Sequence, residues 1–272
     1  MAQIAREQLH LSYRLRKHLG LISCGGMERP QYACGVFMQH FKFAPRLHED
    51  FTVLELGPGD SLSSALIAHA LGVSKSYLVD TESFAERNSA CYLQLVQFIE
   101  KEGLDVSDLV GCSSLNDYMR VCNCRYLTSG LTSLRTIPDS SIDFMWSNAV
   151  LEHIKKTEFL ETLTELRRII RSSGVSSHVM DLRDHMNESL NHLRFSTRFW
   201  NSNLIRTGNF INRIRFREAL SDFKLAGFEP RVVKLRRWLQ LPVPKEKMAE
   251  EFQTLSNEEL GVWDFHALLY PI

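Results

Sequence analysis

No stretch of this 272-residue chain approaches the ~18 consecutive apolar residues of a membrane span. The first residues hold no apolar core of a secretory signal. Neither sign of charge is in excess, since 32 Lys and Arg stand against 32 Asp and Glu. A neutral whole has no reason to coat nucleic acid or an anionic membrane. Cysteine is sparse: Cys24, Cys34, Cys91, Cys112, Cys122 and Cys124 lack the pattern of a disulfide framework. Cys122-Asn-Cys124, with Cys112 nearby, offers three thiols and no evident fourth ligand, so no metal is expected. There is no internal repeat and no low-complexity tract. These absences lead to the expectation of a reduced, cytoplasmic, globular protein.

What is present is alternation. Residues 1–50 read as helices and loops, broken at Gly25-Gly26 and Pro30 and ended by Pro45, and are expected to form a helical cap. Its first turns are basic and amphipathic, with Ile4, Leu11, Leu15 and Leu19 at helical spacing beside Arg6, Arg14, Arg16 and Lys17. A transit peptide or surface anchor is the other reading of that stretch. Strand patterns follow at 51–56, 75–79, 125–128, 142–146 and 175–180. Helical patterns lie at 61–71, 84–102, 157–171 and 216–225, with Gly72, Gly103, Gly174 and Gly227 as stops. Residues 103–124 give no clear period. Two late strands, 230–239 and 262–269, are joined by a Pro-rich, acidic linker around 241–260. Alternating strands and helices predict a parallel sheet with helices on both faces. The late pair, lacking a strong helical crossover, predicts an antiparallel edge.

The sharpest feature is Val53-Leu-Glu55-Leu-Gly57-Pro58-Gly59-Asp60-Ser61, where the first strand turns into the first helix. Glycines there let the backbone bend and approach a ligand closely. Asp80 ends the second strand, 21 residues after Gly59. A carboxylate at that place can accept hydrogen bonds from both ribose hydroxyls.

On these residues the chain resembles the class I S-adenosylmethionine-dependent methyltransferases. Their first motif is an acidic residue, one residue, then G-x-G-x-G, and Glu55-Leu-Gly57-Pro58-Gly59 is similar to it; Ser61 stands where the third glycine would be. Asp80, with Thr81 beside it, corresponds to the ribose-binding acid. The segment 140–154, with Ser147, Asn148, Glu152 and His153, looks like the fourth-strand motif of the small-molecule branch, and Arg167 to Gly174 like the helix and turn after it. The likeness covers residues 50–182. It implies a Rossmann-like, seven-stranded, mostly parallel α/β sheet over residues 51–272, closed by an antiparallel edge hairpin. It implies S-adenosylmethionine as cofactor, held by Glu55, Gly57, Pro58, Gly59, Asp60, Ser61, Asp80, Thr81, Ser147 and Asn148. Many members carry an acid after the third strand that binds adenine; here Gly130, Leu131 and Thr132 stand there instead. Backbone groups and Thr132 are the expected substitutes.

Beyond the fifth strand the residues suggest an acceptor site. His178-Val-Met-Asp181-Leu-Arg183-Asp184-His185 puts five polar or ionisable residues in eight at a strand end, which is costly unless they are paired or used. Asp181 and Arg183 are expected to face substrate, with His185 or His153 as general base. An internally paired strand end is the alternative, as is a His153 bonded to nearby backbone. From Arg194 to Arg217 the chain holds six arginines with no Asp, Glu or Lys. Arg194, Arg198 and Arg206 are expected to bind a small anionic acceptor, phosphorylated or carboxylated, beneath a cover formed by residues 182–217. A basic helix paired with Glu246, Glu250 and Glu251 is the competing reading. Two other functions share this fold: a cofactor-binding partner subunit without turnover, and a nicotinamide-dependent oxidoreductase. The second fits less well, because G-x-G-x-x-G would need a glycine at Leu62.

Overall fold

The computed structural model describes residues 26–85, 90–184, 187–201 and 210–272. Helix α1 (Pro30–Phe41) carries a proline in its first turn, where the missing N–H costs nothing. Strand β1 (Thr52–Leu56) is buried along its whole length, as expected of a central parallel strand covered on both faces. Helix α2 (Ser63–Ala70) follows, ended by Gly72 at φ +85°. Then come β2 (Lys75–Val79), α3 (Ala90–Lys101) and α4 (Leu115–Val121). The last had no legible period, yet its start is a reciprocal cap between Ser114 and Asp117. Strand β3 (Cys124–Leu127), α5 (Gly130–Leu134), β4 (Ile142–Asn148), α6 (Lys156–Ile169) and β5 (Ile170–Asp181) complete the alternating part. After α7 (Thr197–Trp200) and α8 (Phe216–Leu225) comes the edge strand β6 (Phe228–Arg237), then α9 (Glu250–Gln253), α10 (Asn257–Gly261) and β7 (Val262–Pro271).

The strands form one sheet in the order β3-β2-β1-β4-β5-β7-β6. The first five run parallel, and β7 pairs antiparallel with both β5 and β6. This is the Rossmann-like, mostly parallel sheet with the antiparallel edge that the sequence implied. The order reverses between β1 and β4, so a crevice opens at their carboxyl ends. One face of the sheet packs against α6 and α8 through Leu163, Leu166, Ala219 and Phe223. The other packs against α1, α2 and α3 through Phe37, Leu66, Tyr92 and Leu95. No helix among the described residues is long and apolar enough to cross a membrane.

Three expectations are corrected. Gly174 does not stop α6; the helix ends at Ile169, because Ile170 is already extended (φ −77°, ψ 141°). Gly174 lies inside β5, where a Cβ would come within 2.9 Å of the Asp143 carbonyl oxygen, beside the register shift between β4 and β5. The glycine therefore permits a close strand approach. Strand β6 begins at Phe228 rather than Pro230; on an edge, the proline's missing N–H removes no necessary ladder bond. The supposed linker 241–260 is folded. Val243, Met248, Phe252 and Leu260 close with Leu190 and Leu193 into a third, smaller apolar cluster. Its helices are single turns, too short to display a 3.6-residue period. The first half of the predicted N-terminal cap, residues 1–25, lies outside the described residues, and α1 is the helix seen in the second half.

Candidate active site

Leaving β1, the backbone enters the left-handed region at Gly57 (φ +73°) and again at Gly59 (φ +67°). Both positions favour glycine, for different further reasons. A Cβ on Gly57 would stand 2.5 Å from Val150 Cγ2, so the turn is packed against the segment after β4. A Cβ on Gly59 would meet nothing within 4 Å, so its open side leaves room for a ligand to reach the backbone. Asp80 clamps this turn to β2. Its Oδ2 accepts the Gly59 N–H (3.0 Å) and its Oδ1 the Thr81 N–H (2.7 Å). Each oxygen keeps a further lone pair, which is what a vicinal diol requires. Burial pushes Asp80 up to about 6, against the lowering effect of the Thr81 and Gly59 hydrogen bonds.

Glu55 lies beneath the turn. It is buried and accepts the Ser64 hydroxyl, fastening β1 to α2. Burial, opposed by that hydrogen bond, raises it to about 8. Pro58, Asp60 and Ser61 are buried as well, and Ser61 Oγ lies 2.6 Å from Ser63 Oγ at the helix start. On the β3 side, the Gly130 N–H donates to the Asp80 carbonyl (2.8 Å), drawing the start of α5 against the end of β2. Leu131 is half-buried there, and Thr81 and Thr132 are exposed. Sequence reasoning missed Tyr126. Its hydroxyl accepts the Phe84 N–H (3.0 Å) and donates to the Glu82 carbonyl (3.1 Å), which fixes the loop after Asp80. A lone tyrosine in a strand carries no signal of that role.

At the end of β4, Ser147 and Asn148 part company. Ser147 is buried, its Oγ 2.7 Å from His178 Nδ1, and His178 Nε2 is 2.5 Å from Ser176 Oγ. Burial holds His178 down at about 3, so the ring is neutral. Asn148 is half-buried, with Oδ1 3.4 Å from His40 Nε2. Glu152 is fully buried: one oxygen accepts the Asp181 N–H (3.3 Å) and the other has no partner. Burial keeps its carboxyl well above the usual range. His153 is exposed and donates Nδ1–H to the Phe210 carbonyl (2.8 Å), which makes Nε2 its basic nitrogen.

Past β5, Asp181 and Arg183 bind each other. Arg183 Nε donates to Oδ1 (3.0 Å) and Nη2 to Oδ2 (2.7 Å), while Nη1 reaches Glu188 (2.8 Å). Asp264, opposite Asp181 in the register, is paired with Arg236 (2.8 Å). Both guanidiniums lie over the Trp263 ring, at 4.5 and 4.7 Å. Asp184 accepts the N–H groups of Asn187 (2.8 Å) and Asn191 (2.7 Å). His185 and Arg206 lie outside the described residues.

The basic stretch is not one surface. Arg194 and Arg198 are exposed. Arg213 is buried, donating to the Phe195 carbonyl (2.6 Å) and Thr197 Oγ1 (2.7 Å). Arg215 is buried and donates to the carbonyls of Leu182 (2.8 Å), Leu260 (3.1 Å) and Val262 (2.6 Å). Arg217 pairs with Glu259 (3.5 Å). Arg213 thus ties the region after β5 to itself, whereas Arg215 and Arg217 bind that region to the α10–β7 junction. Among the described residues no group of three or more His, Cys, Asp or Glu side chains could hold a metal ion. A separate open groove of about 440 Å³, lined by Trp238, Leu239, Leu241 and Pro244, contains none of the predicted site residues.

Residues 54–177 match the model of the methyltransferase domain family. No curated protein matches the chain. Solved structures similar to it include the YcgJ protein of Bacillus subtilis (15% identity, 88% of this chain and 96% of that one, TM-score 0.44). Another is Burkholderia thailandensis 1,6-didemethyltoxoflavin-N1-methyltransferase, solved with 1,6-didemethyltoxoflavin and S-adenosylhomocysteine (14%, 99% and 88%, 0.48). A third is geranyl diphosphate C-methyltransferase of Streptomyces coelicolor, solved with Mg²⁺, geranyl diphosphate and S-adenosyl-L-homocysteine (13%, 89% and 79%, 0.46). The glycine turn and Asp80 fall within the matched residues, so residues 54–177 are a methyltransferase domain, and the strand order of the sheet they build is that of the class I methyltransferases, which use S-adenosylmethionine.

Proposed function

We propose that the chain is an enzyme that transfers a methyl group from S-adenosylmethionine to a small anionic acceptor. The observation that carries the reading is the Asp80 clamp. A carboxylate with spare lone pairs holds the open glycine turn at the point where the strand order reverses. In the reading, Gly57 to Ser61 receive the cofactor, with Glu55 fixing the turn from below. Asp80 and Thr81 hold its ribose, Gly130 to Thr132 flank adenine, and Asn148 meets the amino-acid arm.

The cofactor supplies a methyl group already activated by a sulfonium, so the protein's main task is alignment for in-line attack. Orientation of this kind is worth roughly 7–11 kcal/mol of the barrier. An acceptor bearing a proton also needs a base. His153 Nε2 is the candidate, its ring oriented by the Phe210 carbonyl, and His185 is the second. A positioned base contributes ~10²–10⁴-fold. For the acceptor, Arg194 and Arg198 are exposed cations in the turns that follow β5, and Arg206 belongs to the same stretch. Their forks suit phosphate or carboxylate. Arg183, already engaged by Asp181, would orient that neighbouring carboxylate. Residues 1–50 are read as a cap, and 182–217 as a cover that packs with 241–260.

Thermal melting with S-adenosylhomocysteine and with NAD separates this reading from an oxidoreductase. Release of S-adenosylhomocysteine from labelled cofactor, across a panel of phosphorylated and carboxylated small molecules, separates an enzyme from a binding subunit. Turnover with none of the panel, beside tight cofactor binding, would favour the subunit.

A further inference from the structure

Three buried side chains from three elements form a hydrogen-bonded chain that ends on Asn148. His40, in the last turn of α1, has Nε2 3.4 Å from Asn148 Oδ1 and Nδ1 2.8 Å from Ser177 Oγ on β5. Ser177 Oγ is in turn 2.7 Å from His266 Nε2 on β7. Aromatic neighbours hold the rings: His40 lies against Trp146 (4.9 Å) and His266 (4.9 Å), and Phe43 meets His266 edge-on (5.5 Å). We propose that His40, Ser177 and His266 are positioning residues that fix the Asn148 amide so that its NH₂ group donates to the carboxylate of the cofactor's amino-acid arm. The inference rests on the cofactor reading above.

With the Asn148 amide oxygen turned to His40, the protons of the chain run in one direction. Asn148 Oδ1 is an acceptor, so His40 Nε2 must carry hydrogen. Burial, with His266 nearby, holds His40 down at about 3, so the ring is neutral and its Nδ1 is bare. Ser177 therefore donates to His40 Nδ1 and accepts from His266 Nε2–H. Burial, then the charges of Lys42 and Lys234, keep His266 down at about 4, so it too is neutral. Every donor then has an acceptor; a reversed Asn148 amide would need both rings in the other tautomer, with Ser177 donating to His266 instead. With Oδ1 turned to His40, Nδ2 points away from the chain. No described residue takes a hydrogen bond from Nδ2.

The strand order identifies the ligand group. Asp80 on β2 would hold the ribose, with adenine further out toward β3 and α5. The arm beyond the sulfur then runs the other way, over β1 to β4. Neighbouring strands are about 4.8 Å apart, so β2 and β4 stand about 10 Å from each other, a span suited to that arm. Trp146 pairs with Glu55, and two residues further Asn148 and Gly57 reach the same level. An amide NH₂ is a fitting donor for a carboxylate.

The test compares S-adenosylhomocysteine with 5′-methylthioadenosine, which has the nucleoside and sulfur but no carboxylate. In calorimetric titrations of the full chain, Asn148→Ala should weaken S-adenosylhomocysteine about tenfold and leave 5′-methylthioadenosine within twofold. His40→Phe, which keeps the ring stack, should show the same split. His40→Gln, which can donate to Asn148 and accept from Ser177, should restore affinity. His40→Phe added to Asn148→Ala should cost little more than Asn148→Ala alone. If His40→Phe does not fold, Asn148→Asp decides: two facing carboxylates predict a larger loss than alanine, again confined to S-adenosylhomocysteine. Equal losses for both ligands, or unchanged S-adenosylhomocysteine binding in folded variants, would overturn the proposal. Wild type binding neither ligand would instead sink the cofactor reading beneath it.

Discussion

Cofactor affinity should fall in acid through one carboxylate, Asp80. Burial raises it to about 6, while its two backbone N–H partners hold the side chain in place. Ribose hydroxyls are best received by the ionised form, which offers only acceptors. With a pKa near 6, nearly all of Asp80 is ionised at pH 7.5 and roughly a tenth at pH 5, so the dissociation constant should rise up to about tenfold between them. Glu55 interferes little, since burial raises it to about 8 and it stays largely protonated across that window. His40, His178 and His266 are neutral throughout that window. Calorimetric titration with 5′-methylthioadenosine isolates the effect, because that ligand has a ribose and no ionisable arm. Asp80→Asn should bind about as weakly at pH 7.5 as wild type does at pH 5, and its profile should be flat. A flat wild-type profile, or an Asp80→Asn profile that keeps the wild-type slope, would refute the role given to Asp80.

Glu55 makes a stability prediction of definite sign. Its folded pKa is raised, so its contribution is fully present below about 4.5 and is lost as pH rises through about 8. Glu55→Gln should gain on wild type across that range, toward a limit of about 5 kcal/mol, read from denaturant midpoints at several pH values. The two glycines should separate in mutants: Gly57→Ala should melt well below wild type because its Cβ meets Val150, whereas Gly59→Ala should lose only about 1–2 kcal/mol and yet bind S-adenosylhomocysteine poorly. Arg215→Met should destabilise by about 3 kcal/mol, since three carbonyls lose their donor, while exposed Arg194→Met stays within ~0.5 kcal/mol and shifts only acceptor KM.

Strands were legible in the sequence because central parallel strands are continuous apolar runs between punctuating residues. All seven were found, and Lys75–Val79 and the α8 helix Phe216–Leu225 to the residue. Gly174 misled because glycine serves both a helix stop and a close strand approach, and only the neighbouring Asp143 carbonyl tells them apart. The 241–260 region misled because one-turn helices have no period to show. The glycine turn and the place of Asp80 were legible since both sit at strand ends, where a backbone of positive φ needs glycine and a carboxylate can hold the turn. Arg213 and Arg215 could not be told apart from the rest of the basic stretch, because composition cannot show which carbonyls a guanidinium will meet. His40, Ser177 and His266 gave no signal at all. They are 89 or more residues apart: Ser177 and His266 meet when β5 pairs with β7, and His40 joins them when α1 closes on the sheet.

The most direct test of the central claim is a crystal structure of the chain with S-adenosylhomocysteine. The ligand should lie across the carboxyl ends of β2, β1 and β4, with both ribose hydroxyls within hydrogen-bonding distance of Asp80 and adenine beside Gly130 to Thr132. S-adenosylhomocysteine bound away from the Gly57–Gly59 turn, or with its ribose making no contact with Asp80, would contradict it.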